Sequence, residues 1–283
     1  MTLFHRPRML LVAVAVLAGA ATPVLVPAPA FAVPNLLQVR VTTASTADGW
    51  KGLTATCPRR WTMLGAGADI ADGGHSIHLA GMNLATGDNF ASANVDKLGY
   101  AQPWALNSYA ICGTQITGYS VEVADTPETP GDTYASATAY CPAGRKVIGA
   151  GGRTEGKPHT VLDTIHVSGD LSSVTVEVFG LDGFPPSAHA YAVCIRPVPG
   201  QQLVTASTGY TSSDKTLSVE CPPGTQVHGV AGGITGAAGQ AYIDRLAPHG
   251  VGLAVSGADI DLREDADGYA ETWQATVQAI CAN

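Results

Sequence analysis

The residues of this chain with chemistry to offer are six cysteines, eight histidines, four tryptophans and a run of carboxylates near the carboxy terminus. Cysteines that bind metal or cycle redox states usually sit at short spacing, as in Cys-x-x-Cys, and no such pair occurs. Cys57, Cys112, Cys141, Cys194, Cys221 and Cys281 are even in number and far apart, which suits disulfides. His75 and His78 are three residues apart. On a strand that spacing puts them on opposite faces, a poor arrangement for two ligands of one metal. His166, His189 and His249 have no partner at a useful spacing. A serine nucleophile needs a sharp elbow such as Gly-x-Ser-x-Gly; the nearest run, Gly118-Tyr-Ser120-Val-Glu122, lacks the last glycine and reads as strand. There is no His-Glu-x-x-His. Gly149-Ala-Gly-Gly152 is followed by no Lys-Ser/Thr and no helix, so it is not a phosphate loop. No residue is nominated as catalytic, and the chain is expected not to be an enzyme.

Two binding chemistries remain. Asp259, Asp261, Asp265 and Asp267, with Glu264 and Glu271, offer oxygen ligands at short spacing, the donor set of a weak extracellular calcium site. Their spacing is not that of a helix-flanked twelve-residue loop, and a solvated charged hairpin is the plainer reading; no cofactor is expected beyond that calcium candidate. Trp104 and Trp273 each stand eight residues before a cysteine. Aromatic rings at equivalent places in repeated β units are candidate ligand-binding platforms, because a planar ring matches the apolar face of a pyranose. The alternative is core packing.

These residues are positioned by a unit written three times. Cys57-Pro-Arg-Arg-Trp-Thr-Met-Leu-Gly65-Ala-Gly67 aligns with Cys141-Pro-Ala-Gly-Arg-Lys-Val-Ile-Gly149-Ala-Gly151-Gly152 and with Cys221-Pro-Pro-Gly-Thr-Gln-Val-His-Gly229-Val-Ala-Gly232. Each unit closes on a matched strand: Tyr109-Ala-Ile-Cys112, Tyr191-Ala-Val-Cys194 and Gln278-Ala-Ile-Cys281. The opening cysteines are 84 and 80 residues apart and the closing ones 82 and 87, a fixed period of the kind that marks repeat architectures. The boundaries are 33–116, 117–198 and 199–283. In the middle unit, alternation of period two predicts strands over 119–124, 134–140, 145–153, 160–167, 173–179 and 188–194. Turn residues separate them, and no window carries helical periodicity with caps. About eighteen short strands in three sets make an all-β protein.

Three small sandwiches in a row, or three units packed about a pseudo-threefold axis, both fit. The 28 residues from Cys112 to Cys141 read as strand rather than flexible linker, favouring the axis. Gly65/Gly67, Gly149/Gly151 and Gly229/Ala231 leave one strand face bare, as close backbone approach near a shared axis requires. A β-trefoil ranks third, since the units are long for one. The favoured disulfides close each unit on itself: Cys57–Cys112, Cys141–Cys194 and Cys221–Cys281. The rival scheme staples neighbours: Cys112–Cys141, Cys194–Cys221 and Cys57–Cys281.

The first 32 residues read as a cleavable signal peptide: Arg6 and Arg8, an apolar run over 9–26, then Ala30-Phe31-Ala32. Export would place the cysteines in an oxidising space, and no membrane span would remain after cleavage. The formal charge of -8 becomes -10 once two arginines leave with the leader, which argues against nucleic acid as a partner.

The Cys-Pro-x-Gly-x-x-Val-x-Gly-x-Gly-Gly opening and Tyr-Ala-Val-Cys closing resemble a cysteine-bounded repeat of secreted actinobacterial proteins and some phage-tail-associated proteins. Cys141, Pro142, Gly144, Val147, Gly149, Gly151, Gly152 and Cys194 carry the likeness. The first unit departs from it at Arg59-Arg60-Trp61 and the third at Ala231. The resemblance implies a secreted, bacterial repeat protein and no particular activity; three-sheet β-prism proteins of egg coats and lectins are an architectural analogy. The reading is a secreted, disulfide-stabilised, non-enzymatic binding protein, lectin-like, for a glycan or a cell-surface component. An extracellular assembly subunit, whose partner is another protein, is the alternative, and a hydrolase without a visible motif the third.

Overall fold

The computed structural model describes residues 35–84, 87–95, 102–155, 159–251 and 254–283; the signal peptide expected over 1–32 lies outside them. Unit I supplies β1 (Leu37–Thr42), β2 (Trp50–Ala55), β3 (Thr62–Ala71), β4 (Ile77–Asn83), β5 (Asn89–Val95) and β6 (Ala105–Gly113). Unit II supplies β7 (Ser120–Thr126), β8 (Tyr134–Tyr140), β9 (Lys146–Arg153), β10 (Thr160–Val167), β11 (Ser173–Gly180) and β12 (Ala188–Ile195). Unit III supplies β13 (Gln202–Ser207), β14 (Lys215–Glu220), β15 (Gln226–Thr235), β16 (Ala241–Val251), β17 (Ala254–Glu264) and β18 (Gln274–Ala282). Apart from one turn of 3-10 helix at Gly74–Ser76, the named elements are strands.

Small residues at period two make the strands and set the spacing of the layers. In β8, Ala135, Ala137 and Ala139 face in while Ser136 and Thr138 face out. Within a unit the first, sixth and third strands form one layer and the fourth, fifth and second the facing layer, a small sandwich. The sheets do not stop at the unit. All three run on, antiparallel, into a neighbour, in the orders β2-β5-β4-β9-β12-β7 (sheet I/II), β8-β11-β10-β15-β18-β13 (sheet II/III) and β14-β17-β16-β3-β6-β1 (sheet III/I). Three sheets of six strands therefore close around a pseudo-threefold axis. Both arrangements expected from sequence contribute: each unit is a sandwich, and the sandwiches share their sheets.

The axis is built from glycine. The third strands bulge at Leu64, Ile148 and His228, and the glycine after each bulge meets the bulge carbonyl of a neighbour. A methyl on Gly65 would lie 2.2 Å from the His228 carbonyl oxygen, on Gly149 1.7 Å from that of Leu64, and on Gly229 2.6 Å from that of Ile148. The contacts form a ring that only hydrogen side chains permit. The fourth strands bulge in turn at Ala80, Asp163 and Asp244.

The disulfides follow the within-unit scheme, Cys57–Cys112, Cys141–Cys194 and Cys221–Cys281. Each ties the end of a second strand to a sixth strand, stapling the two layers of one sandwich. Loops of 53 to 60 residues are worth about 4 kcal/mol each in the chain-entropy model. The staples do not make the units self-closing, because one edge strand of each three-strand layer pairs with a strand of another unit.

Candidate functional site

Trp104 and Trp273 are not surface platforms. Both are fully buried. Each closes a sandwich at an isolated bridge, Thr46↔Trp104 and Thr211↔Trp273. A buried lysine lies over each ring, Lys51 at 4.9 Å and Lys215 at 3.8 Å. Lys51 donates to Ala44 O, Thr46 Oγ1 and Asp48 Oδ2, and Lys215 to Thr211 O and Oγ1 and Ser213 O. Burial holds the Lys215 ammonium below the usual lysine range. Unit II replaces both members together, with Ala135 at the lysine place and Pro186 at the tryptophan place. That paired exchange was the sequence signal for a core role, because a lone stacking platform has no reason to change together with a residue some fifty positions earlier.

The four candidate calcium ligands, Asp259, Asp261, Asp265 and Asp267, are strung along β17 and the turn after it. Asp259 accepts from Arg245 Nη2 at 2.6 Å, Ser218 Oγ at 2.8 Å and His249 Nδ1 at 2.9 Å. Asp261 lies beside Arg245 and Thr216 in register, and the nearly buried Asp265 donates its backbone N–H to Gln240 O. Asp267 lies in the turn that follows β17. Glu264 accepts from the Trp273 indole. Among the described residues, no group of three or more His, Cys, Asp or Glu could hold a metal ion.

The histidines are scattered. His75 sits on the 3-10 turn, its Nδ1 2.9 Å from Glu264 O, while His78 is sealed in the axis against Tyr242. His189 lies between Asp125 and Glu155, with a carboxylate 2.5 Å from each ring nitrogen. His249 is held similarly by Asp259 and Glu220.

Three concave features among the described residues lie where the sheets cross from unit to unit. One cavity opens at each seam: ≈ 280 Å³ on sheet I/II, ≈ 210 Å³ on sheet III/I and ≈ 190 Å³ on sheet II/III. Duplication has placed three related clefts about the axis, and their linings have diverged. At the sheet II/III seam, Gln278 is bonded to both backbone groups of Val167, so the amide bridges the cleft.

The sheet I/II cleft has the richest lining: Trp50, Asn83, Phe90, Ser92, Arg153, Thr154 and Glu155. Register explains how they meet. The pairings Gly52↔Ser92, Gly81↔Ser92, Gly81↔Arg153, Arg153↔His189 and His189↔Asp125 set one row across all six strands, on the outward face. Trp50 and Phe90 lean over that row from either side of Gly52, where a methyl would strike both rings at 2.5 and 2.6 Å. The ring centroids are 6.4 Å apart, and the side chains are 51% and 37% exposed. At the seam Gly81 leaves room for Arg153, whose Nε donates to Tyr191 Oη at 2.8 Å and whose Nη1 donates to Thr154 O. Burial raises the Tyr191 hydroxyl, leaving it a neutral partner for the guanidinium. The outcome is an aromatic pair over a bare floor, with amide, hydroxyl, guanidinium and carboxylate groups beside it.

No protein-family model and no curated protein matches the chain. Among the described residues no helix is long and apolar enough to cross a membrane.

Proposed function

We propose that this is a non-enzymatic, extracellular glycan-binding protein and that the outward face of sheet I/II is its binding surface. The observation that carries the reading is the exposed Trp50–Phe90 pair over Gly52, at the mouth of a cleft lined by Asn83, Ser92, Arg153 and Glu155. Sugars are bound by this combination: an aromatic face takes the apolar side of the ring, and planar polar groups at its edge take the hydroxyls. Large exposed aromatics are otherwise a liability on a chain with only 6% aromatic residues. Three disulfides accord with an oxidising compartment.

Glycan-array binding followed by titration of the best oligosaccharide tests the proposal. Trp50→Ala is expected to weaken binding by about tenfold or more, with a melting temperature close to that of the parent because the ring is half exposed. Equal affinity in the variant, or an array with no specific hit, would refute it. A blank array with self-associated protein would favour assembly instead, through the sheet edges at β1, β14, β13, β8, β2 and β7.

A further inference from the structure

We propose that the seam of sheet III/I is a second binding site, for a sugar acid, a small carboxylate that carries hydroxyls. The inference does not depend on the Trp50–Phe90 reading. The ≈ 210 Å³ cleft there is lined by Gln38, Arg40, Tyr109, Arg245, Pro248 and His249, together with the glycine after His249. Two guanidinium groups face a cleft that no carboxylate lines. Asp259 takes one Arg245 nitrogen and one His249 nitrogen from β17, and Asp69 takes the Tyr109 hydroxyl from β3. Arg40 lies over the Tyr109 ring at 5.5 Å and has no ion-pair partner among the described residues. Two atoms of the lining residues are buried without a hydrogen-bond partner: the donor Arg245 Nε and the acceptor Gln38 Oε1. Unsatisfied buried groups are unfavourable in a finished fold, and a donor and an acceptor together are what a carboxylate with an adjacent hydroxyl would satisfy. Guanidinium groups are the favoured carboxylate partners.

The repeat supplies an internal control. By register, the place of Arg40 is Val123 in unit II and Thr205 in unit III, and the place of Gln38 is Val121 and Leu203. The place of Arg245 is Gly81 in unit I and Thr164 in unit II. The frame is built twice without these polar groups, so holding the sheet together does not explain them.

The test is saturation-transfer NMR with calorimetry on the whole protein, using D-glucuronate, D-glucose and inorganic sulfate as probes. D-glucuronate is expected to bind, D-glucose and sulfate much more weakly. Arg40→Val, which installs the residue of unit II at an exposed position, should weaken glucuronate by about tenfold or more. Gln38→Leu, the residue of unit III, should weaken it less, and Trp50→Ala not at all. Three results would overturn the proposal: no glucuronate binding, glucose or sulfate bound as tightly as glucuronate, or glucuronate binding unchanged by Arg40→Val. Loss of glucuronate binding in Trp50→Ala would overturn it as well, by placing the ligand on sheet I/II.

Discussion

Gly149→Ala is expected to leave little or no folded protein. The added methyl would sit 1.7 Å from the Leu64 carbonyl oxygen and close to the Gly65 Cα, both of them backbone. Overpacking against side chains costs about 1–3 kcal/mol because rotamers can turn away. Here nothing can rotate, and the contact is one of three that lock the third strands about the axis, so relief at Gly149 would spread through the ring to Gly65 and Gly229. Set against a total stability of about 5–15 kcal/mol, that disruption is decisive. Gly169→Ala serves as the control, since nothing lies within 4 Å of the added group and its backbone is not left-handed. Soluble yield and thermal melting check the pair. A Gly149→Ala protein that melts within a few degrees of the parent would show that the axis is not packed in this way.

The second large effect concerns acid. His78 and His228 are buried at the axis, and desolvation lowers both from the usual 6.5 to about 4. Above pH 6.5 both folded and unfolded chains carry them neutral, and they leave stability unaffected. As pH falls below 6.5 the unfolded chain takes up protons that the fold refuses, and stability drops by up to about 1.4 kcal/mol per pH unit for each histidine until about pH 4. Each therefore removes about 3 kcal/mol at the acid end. Two buried acids act in the opposite sense over part of the range: burial raises Asp163 to about 7 and Asp244 to about 6, so their protonation in the fold favours it as pH falls. Comparing variants isolates the histidines. The repeat offers the replacements, because Val161 stands at the place of His78 and Ile148 at the place of His228. The double variant His78→Val/His228→Ile should melt near the parent at pH 7.5 and above it by about 10 °C or more at pH 4.5. Melting curves whose difference does not change with pH would defeat this account.

Much of this structure is legible in the residues. Alternation in Tyr134–Tyr140 and Ser173–Phe179 is local physics, since a strand's side chains alternate whatever it pairs with, and both segments are strands in the fold. The cysteine spacing, repeated three times, restricts the disulfides to two sensible schemes, and duplication of a self-stapled unit selects the one found. The bare faces at Gly65, Gly149 and Gly229 announce backbone contact. What they touch is not announced, since a missing side chain says that something comes close and not what.

The candidate site was less legible. Trp104 and Trp273 stand at repeated places, and repetition is equally the mark of a core position and of a binding position. Their burial under Lys51 and Lys215 follows from a lysine more than fifty residues earlier in each unit. Trp50 carries no mark in the sequence, because its neighbours in space, Phe90 and Arg153, come from other strands and, for Arg153, from another unit.

Strand content, the threefold repeat, a choice between two disulfide schemes and the glycine positions that must meet backbone are written in the residues, because each depends on residues near in the chain or on internal repetition. The passage of the sheets from one unit into the next is settled by long-range packing alone. That crossing rests on two-residue seams such as Arg245↔Asp69 and Gly81↔Arg153, which leave no periodic trace. The seams also set the clefts and their linings, since the groups that face one another there are brought together by the axis.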